Sequence, residues 1–344
     1  MTQWLDSEGP LKPFILSSRI RLARNFALSP FPAAMSPEMA AHLIEQVRER
    51  VVGGSSVFNA TYRVLATGEM SSQDKRLYLE KHLVSPEFIQ GRLPGLLLVN
   101  ETESISLMVN EEDHLRIQSL LPGLQLYRAY EEASLVDDYI DERMAYAFDD
   151  RLGYLTACPT NVGTGLRASV MMHLPALVLS GAMERVLQAA RQIGLAVRGL
   201  YGEGSEATGS MFQISNQQTL GRTEKELIDT LNDVAGQIAM EERDARELLV
   251  RSSGNELEDR IWRSYGILTH ARTLSTREAL ERFSDLRLGI ETGLFDALDL
   301  PRVDALLFRI QPAFLQAQAG RELSPEERDI YRAQWVREKL GGNG

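Results

Sequence analysis

The chain is predicted to be α+β: an antiparallel β-sheet flanked by helices, followed by a helical C-terminal domain. Three observations carry this. Short β-rich runs bounded by polar turns recur as far as residue 216, and segments of helical period alternate with them. From Thr223 onward the pattern is helical almost without interruption. At 344 residues there is material for about two domains with a large core. The stretch Arg251-Ser-Ser-Gly254 marks the expected boundary, giving one domain over 1–250 and a second over 251–344.

Taken in order, 36–52 is an amphipathic helix. Ser36 can accept from free N–H groups, Pro37 suits the first turn, and Gly53-Gly54 ends it. The runs 96–100 and 104–110 flank a polar turn and predict a hairpin. A helix is expected over 111–120, a strand over 124–128 and a long acidic helix over 130–148. A strand at 152–157 enters a Pro/Thr/Asn/Gly loop, and 167–174 leaves it as another. Beyond lie a helix over 176–193 and strands over 195–201 and 210–216. The helices expected after that cover 223–251, 256–271, 275–288, 301–310 and 325–340. No internal repeat is present.

Composition narrows the function. Hydrophobic residues make up 44% and charged residues 25%, the balance of a soluble globular protein. A single cysteine excludes an internal disulfide framework, no signal-peptide pattern is seen, and no apolar run approaches the roughly 20 residues that span a bilayer. A reducing, cytoplasmic setting without membrane contact is expected. Net charge of −11 argues against direct nucleic-acid binding. Of 37 cationic side chains only five are lysines, at 12, 75, 81, 225 and 339. Codon bias explains such an excess of arginine; exposed arginines that are themselves substrates would be the functional explanation. Gly202-x-Gly204-x-x-Ala207 fits a dinucleotide fingerprint in letters only, because a strand follows where a helix is required. There is no P-loop, no H-E-x-x-H and no cysteine pair, so no protein-held metal is expected.

The most informative stretch is Cys158-Pro-Thr-Asn-Val-Gly-Thr-Gly-Leu-Arg167-Ala168-Ser169-Val170. It sets the only cysteine nine residues before an arginine, across a loop whose backbone N–H groups and small hydroxyls would let an anion approach closely. A buried structural cysteine at a strand entry is the plain alternative. The stretch closely resembles the signature of the phosphagen (guanidino) kinases, which move phosphate from ATP onto a guanidinium nitrogen. Other segments match that pattern in order: Ser17-Ser18-Arg19-Ile20-Arg21, His82, Asn110-Glu111-Glu112-Asp113-His114-Leu115-Arg116, and Arg198-Gly199-Leu200-Tyr201-Gly202-Glu203-Gly204-Ser205-Glu206. Alone, each has an ordinary explanation, such as a basic edge strand or a helix salt bridge. Together they cover about two thirds of the chain.

The resemblance implies the phosphagen-kinase catalytic fold and an ATP site drawn from Ser17 to Arg21, His82, Arg116, Arg167 to Met171 and Arg198 to Glu203, with Mg²⁺ held mainly by ATP phosphates. Extended, Arg19 and Arg21 share one face and suit two phosphate oxygens. In a helix, Glu112 and Arg116 would share a face at i, i+4. Glu112 and Glu206 are the expected proton acceptors and holders of the guanidinium, with Cys158 as thiolate steadying its far side.

The acceptor is a second question. Small-molecule phosphagen kinases carry an extra N-terminal helical domain before their SSRIR-like segment, which here begins at residue 17, so an open site and a protein-borne arginine are expected. Arg328-Asp329-Ile-Tyr-Arg332-Ala matches an element of the McsB-type bacterial protein-arginine kinases that forms a phosphoarginine pocket. On one helical face Arg328 and Arg332 could grip phosphate while Asp329 pairs with the guanidinium. The resemblance further implies a zinc-binding activator protein, a Clp ATPase that receives marked clients, a heat-shock repressor as substrate, a homodimer, and stimulation by bound phosphoarginine. Two alternatives stay open: a metabolic kinase for free arginine, and a non-catalytic adaptor that only binds phosphoarginine.

Overall fold

The structure is a computed structural model that describes residues 7–54, 56–200 and 207–341. Eight of its strands form one sheet: β1 (Ile15–Arg24), β2 (Tyr62–Ala66), β3 (Leu96–Asn100), β4 (Ile105–Val109), β5 (Leu115–Pro122), β8 (Leu166–His173), β9 (Leu195–Gly199) and β10 (Met211–Asn216). Their order is β2-β3-β4-β5-β1-β8-β10-β9; β6 (Phe148–Asp149) and β7 (Gly153–Tyr154) make a separate ribbon. The pairs β2·β3, β3·β4, β4·β5 and β1·β5 are antiparallel. Opposite residues in such a pair project to one face, so Ala23 opposite Arg116 places that arginine on the face of Arg19 and Arg21. Ile20 and Leu22, out of phase with them, are buried in the core.

By Cα proximity the chain divides into two compact units. Among the described residues one comprises 17–170 and 215–233, with strands β2 to β7; the other comprises 7–16, 171–200, 207–214 and 234–341. Within the first, Ser36 caps Pro37–Val47 through a bond from Met39 N, and the helix continues as a wider π-turn to Val52. The long helix Glu224–His270 runs through the expected boundary, with Ser253 off helical geometry. Thr276–Thr292, Leu300–Arg309, Pro312–Ala319 and Pro325–Leu340 follow, each begun by a capping residue or a proline.

Several local expectations fail. Residues 111–120 are not helical: Asn110 takes a left-handed φ of 61° and the chain turns tightly through Glu111 to His114 into β5. The strand expected at 124–128 is the start of a helix, Leu126–Asp141, which in turn ends seven residues before 148. The strand at 152–157 shrinks to Gly153–Tyr154, and the helix at 176–193 is broken into Pro175–Leu179 and Met183–Gln192 around Gly181 at φ 71°. Ser72–Glu80, Pro86–Gln90 and Pro312–Ala319 are helices that were not anticipated. At 115–122 long-range pairing with β1 and β4 outweighs short-range propensity, and Ser72–Glu80 and Pro86–Gln90 are each begun by a serine cap.

Candidate active site

A pocket of about 480 Å³ is lined by Arg21, Ala23, Glu87, Glu111, Glu112, Asp113, Arg116, Asn161, Gly165 and Arg167. Four segments build it: the C-terminal half of β1, the helix Pro86–Gln90, the β4–β5 turn with the start of β5, and the loop that runs from Leu155 into β8.

The cationic wall comes from strand alternation. Arg19 donates its Nε to Ser169 Oγ at 3.4 Å, which draws β8 against β1. Burial first, then the charges of Arg116 and Arg167, push the Arg19 guanidinium down to about 9. Arg21 is lowered well below its ordinary value by burial, then by Arg19, Arg116 and Arg167, with only Glu111 opposing. The Arg21 Nε is buried without a hydrogen-bond partner. Arg19 and Arg21, each depressed by the charges of Arg116 and Arg167, are a poor arrangement for an empty protein and a good one for a polyanion. That orphaned donor and the mutual repulsion fit the phosphates of a nucleotide.

Opposite them lies the carboxylate turn. Glu111 accepts from Arg116 Nη1 and from Ser85 Oγ at 2.5 Å, so the ion pair of Arg116 is with Glu111 and not, as the helical spacing suggested, with Glu112. Without a helix, the i, i+4 relation has no geometry to act through. Glu112 keeps its carboxylate for the pocket; partial burial, then the charges of Asp113 and Glu111, raise its pKa. A shift in this direction favours proton acceptance.

The thiol loop is fastened at several points. Tyr154 and Gly163 exchange backbone bonds across its neck, and Thr219 Oγ1 donates to the Thr160 and Val162 carbonyls at 2.9 and 2.6 Å. Gly163 and Gly165 adopt φ of 112° and 62°; a Cβ on Gly163 would lie 2.6 Å from Thr219 O, and one on Gly165 2.6 Å from Ala23 O. Arg24, paired with Asp137 at 2.7 Å and stacked 3.6 Å over Tyr154, also donates to Thr164 O. Cys158 is half-buried with Sγ 3.0 Å from Thr160 Oγ1, and Ala157 N donates to Asp113.

The remaining candidates divide. Ser17 and Ser18 are buried, and Ser18 Oγ donates to Gly123 O and accepts from Gln125 N, which fixes a turn. Ile20, Ala168, Val170 and Met171 are core residues, with Ala168 N donating to Asn216 Oδ1. His82 takes φ 59°; burial first, then Arg19, lower its imidazole to about 3. Arg198 is an exposed residue of β9, Gly199 ends that strand, and Leu200 N bonds Met211 O. Tyr201, Gly202, Glu203 and Glu206 lie outside the described residues. In the C-terminal region Arg332 is buried, donating to Ile310 O, Leu274 O and Asp329, whereas Arg328 donates to Leu323 O. Arg332 thus fastens its helix to neighbouring segments, and Asp329 is its carboxylate partner. Glu87, Glu111, Asp113 and Asn161 line the pocket although sequence reasoning gave them no role; Glu111, Asp113 and Asn161 fall inside the two quoted motifs, the only signal that could have found them, and Glu87 lies in neither.

The fold and site together define a class. Residues 42–245 match the ATP:guanido phosphotransferase C-terminal catalytic domain, and residues 254–343 match the protein-arginine kinase McsB C-terminal domain. The chain belongs to the ATP:guanido phosphotransferase family. Within it, the chain is similar along its length to proteins named protein-arginine kinase: 48% identical to that of Moorella thermoacetica, covering 99% of this chain and 98% of the relative, and 47% identical to that of Bacillus subtilis, covering 99% and 93%. Among solved structures, lombricine kinase shares the fold at TM-score 0.59 and 24% identity, covering 67% of each chain. The duplicated taurocyamine kinase of Schistosoma mansoni does so at 0.61 and 22%, covering 79% of this chain and 40% of that one.

Proposed function

We propose that the protein is an ATP-dependent protein-arginine kinase. The observation that carries this is the pocket itself, in which Arg21, Arg116 and Arg167 line the same cavity as Glu112. The nitrogen of an acceptor arginine attacks the γ-phosphorus in line. An N–P bond forms as the bond to the β,γ-bridging oxygen breaks, ADP leaves with that electron pair, and the nitrogen's proton passes to Glu112. A carboxylate is needed because free guanidinium stays protonated up to a pH of about 12. Arg19, Arg21, Arg116 and Arg167 hold the phosphates, Mg²⁺ arrives on the ATP oxygens, and Glu206 and Arg198 complete the acceptor and nucleotide ends. Cys158 steadies the guanidino group.

A division of labour near residues 245–254 goes with this reading. The catalytic region precedes it, and a C-terminal region carries phosphoarginine binding through Arg328, Asp329 and Arg332, and dimerisation. In a reducing cytoplasm the products would be clients of a Clp ATPase and a heat-shock repressor, under a zinc-binding activator. The full-length relatives named protein-arginine kinase favour protein-borne over free arginine. The test is mass spectrometry of a flexible model protein incubated with enzyme and ATP, under conditions that spare acid-labile P–N bonds. Phosphoarginine on the protein is expected; phosphate found only on added free arginine, or none at all, refutes the reading.

A further inference from the structure

Asp113 borders the pocket, yet its carboxylate is directed into the protein. It is 2% exposed, and its Oδ1 accepts from Asn25 Nδ2 and from Ala157 N, each at 2.6 Å. Asn25 is equally enclosed: its Nδ2 also donates to Leu155 O at 3.0 Å, and its Oδ1 accepts from His114 N at 2.8 Å. The ring of His114 accepts from Phe26 N at Nδ1. One buried knot therefore joins three segments that each carry a different part of the proposed chemistry. Asn25 directly follows the strand of Arg19 and Arg21, Asp113 directly follows Glu112, and Ala157 directly precedes Cys158.

We propose that Asp113 is a positioning residue, which sets the distance between the Glu112 carboxylate and the Cys158 thiol by holding both to the end of β1. The inference rests on the kinase reading, and it concerns how the acceptor end is built. Three chain segments meeting at one oxygen leave little freedom to the two residues flanking them. Proton acceptance by Asp113 is the competing role, and the two short bonds already occupying Oδ1 oppose it. Misplacing a reacting group by about 1 Å is enough to cost on the order of 100-fold in rate.

The test compares the full-length wild type with Asp113→Ala and Asp113→Asn. The readouts are kcat, KM for ATP and the rate at which iodoacetamide alkylates Cys158, the chain's only cysteine. Asparagine retains an oxygen that can accept both bonds; alanine does not. Asp113→Ala is expected to lose about 100-fold in kcat while KM for ATP moves by less than about threefold. Its Cys158 alkylation rate should change by about fivefold or more. Asp113→Asn should recover most of the lost turnover and the wild-type alkylation rate. An asparagine variant as inactive as the alanine one overturns the proposal, since charge or proton affinity would then be the requirement; so does an alkylation rate equal in all three. Should Asp113→Ala fail to fold, Asp113→Ser, too short to reach both donors, takes its place in the same comparison. Wild-type enzyme that phosphorylates no arginine would refute the kinase reading, while the alkylation comparison would still decide whether Asp113 holds the thiol segment.

Discussion

Glu112 and Glu111 are adjacent, chemically identical, and different in what they can do. Glu111 is consumed by Arg116 and Ser85, whereas Glu112 faces the pocket with a pKa raised by burial and like charge. Glu112→Gln should therefore lower kcat by about 10²- to 10⁴-fold, the range for loss of general base catalysis, with ATP affinity by calorimetry nearly unchanged. A turnover near wild type would remove Glu112 from the mechanism. His82 carries a different consequence. Its folded imidazole titrates at about 3 and the unfolded one near the ordinary 6.5, so below about pH 6.5 the unfolded chain binds a proton that the folded one refuses. Stability contributed by neutral His82 is present above that pH and falls as pH drops from 6.5 toward 3. Urea midpoints at pH 7.5 and 5.5 should show a smaller decline for His82→Gln than for wild type; the difference between the two proteins cancels the carboxylates. Residue identity was largely legible here, because Arg19, Arg21, Glu112, Arg116, Arg167 and Cys158 could be picked out from motifs. Pairing was not: nothing local separates Glu111 from Glu112 until the turn assigns one of them to Arg116.

Among elements, the loop between β7 and β8 depends on backbone that only glycine adopts without strain. Gly163→Ala would force a Cβ against Thr219 O and the Leu220 backbone at φ 112°. A cost of at least about 1–3 kcal/mol is expected, read as a lower urea midpoint, together with reduced turnover because the Asn161 and Arg167 walls move. An unchanged midpoint would show that the loop yields easily. The elements that were predicted well have strong local signals: the Ser36-Pro37 start, the 96–110 hairpin, and the helices capped by Ser275, Asp299 and Ser324. Among those that failed is 111–120, where Glu and Leu favour a helix but pairing of β5 with both β4 and β1 makes a central strand. Propensity differences of a few tenths of a kcal/mol per residue are small beside two ladders of hydrogen bonds and the burial of Ile117, Leu120 and Leu121.

At the scale of the whole molecule, one buried cation links parts of the chain that are far apart in sequence. Arg287, with no exposed surface, donates to Asp304, to the Lys12 and Pro13 carbonyls, and lies 3.0 Å from His173 Nδ1. Arg287→Ala leaves Asp304 buried without its partner and two carbonyls unpaired, a loss of about 3–5 kcal/mol that should appear as a large drop in Tm. A drop of only a degree or two would mean the network is dispensable. No sequence motif announces Arg287, because its value depends on residues 114 and 275 positions away meeting at one point. What the sequence determined by itself was the α+β class, the helical C-terminal region, and the types of side chain that phosphoryl transfer to a guanidinium demands, since these follow from periodicity, capping and motif chemistry within short windows. The tertiary structure alone decided which carboxylate is free, which arginines line one pocket, that Arg332 is buried against the Leu274 and Ile310 carbonyls, and that Asp113 joins Asn25 to Ala157. Each of those depends on contacts closed across the sheet, where burial and charge act over distance in space and leave no trace in local sequence.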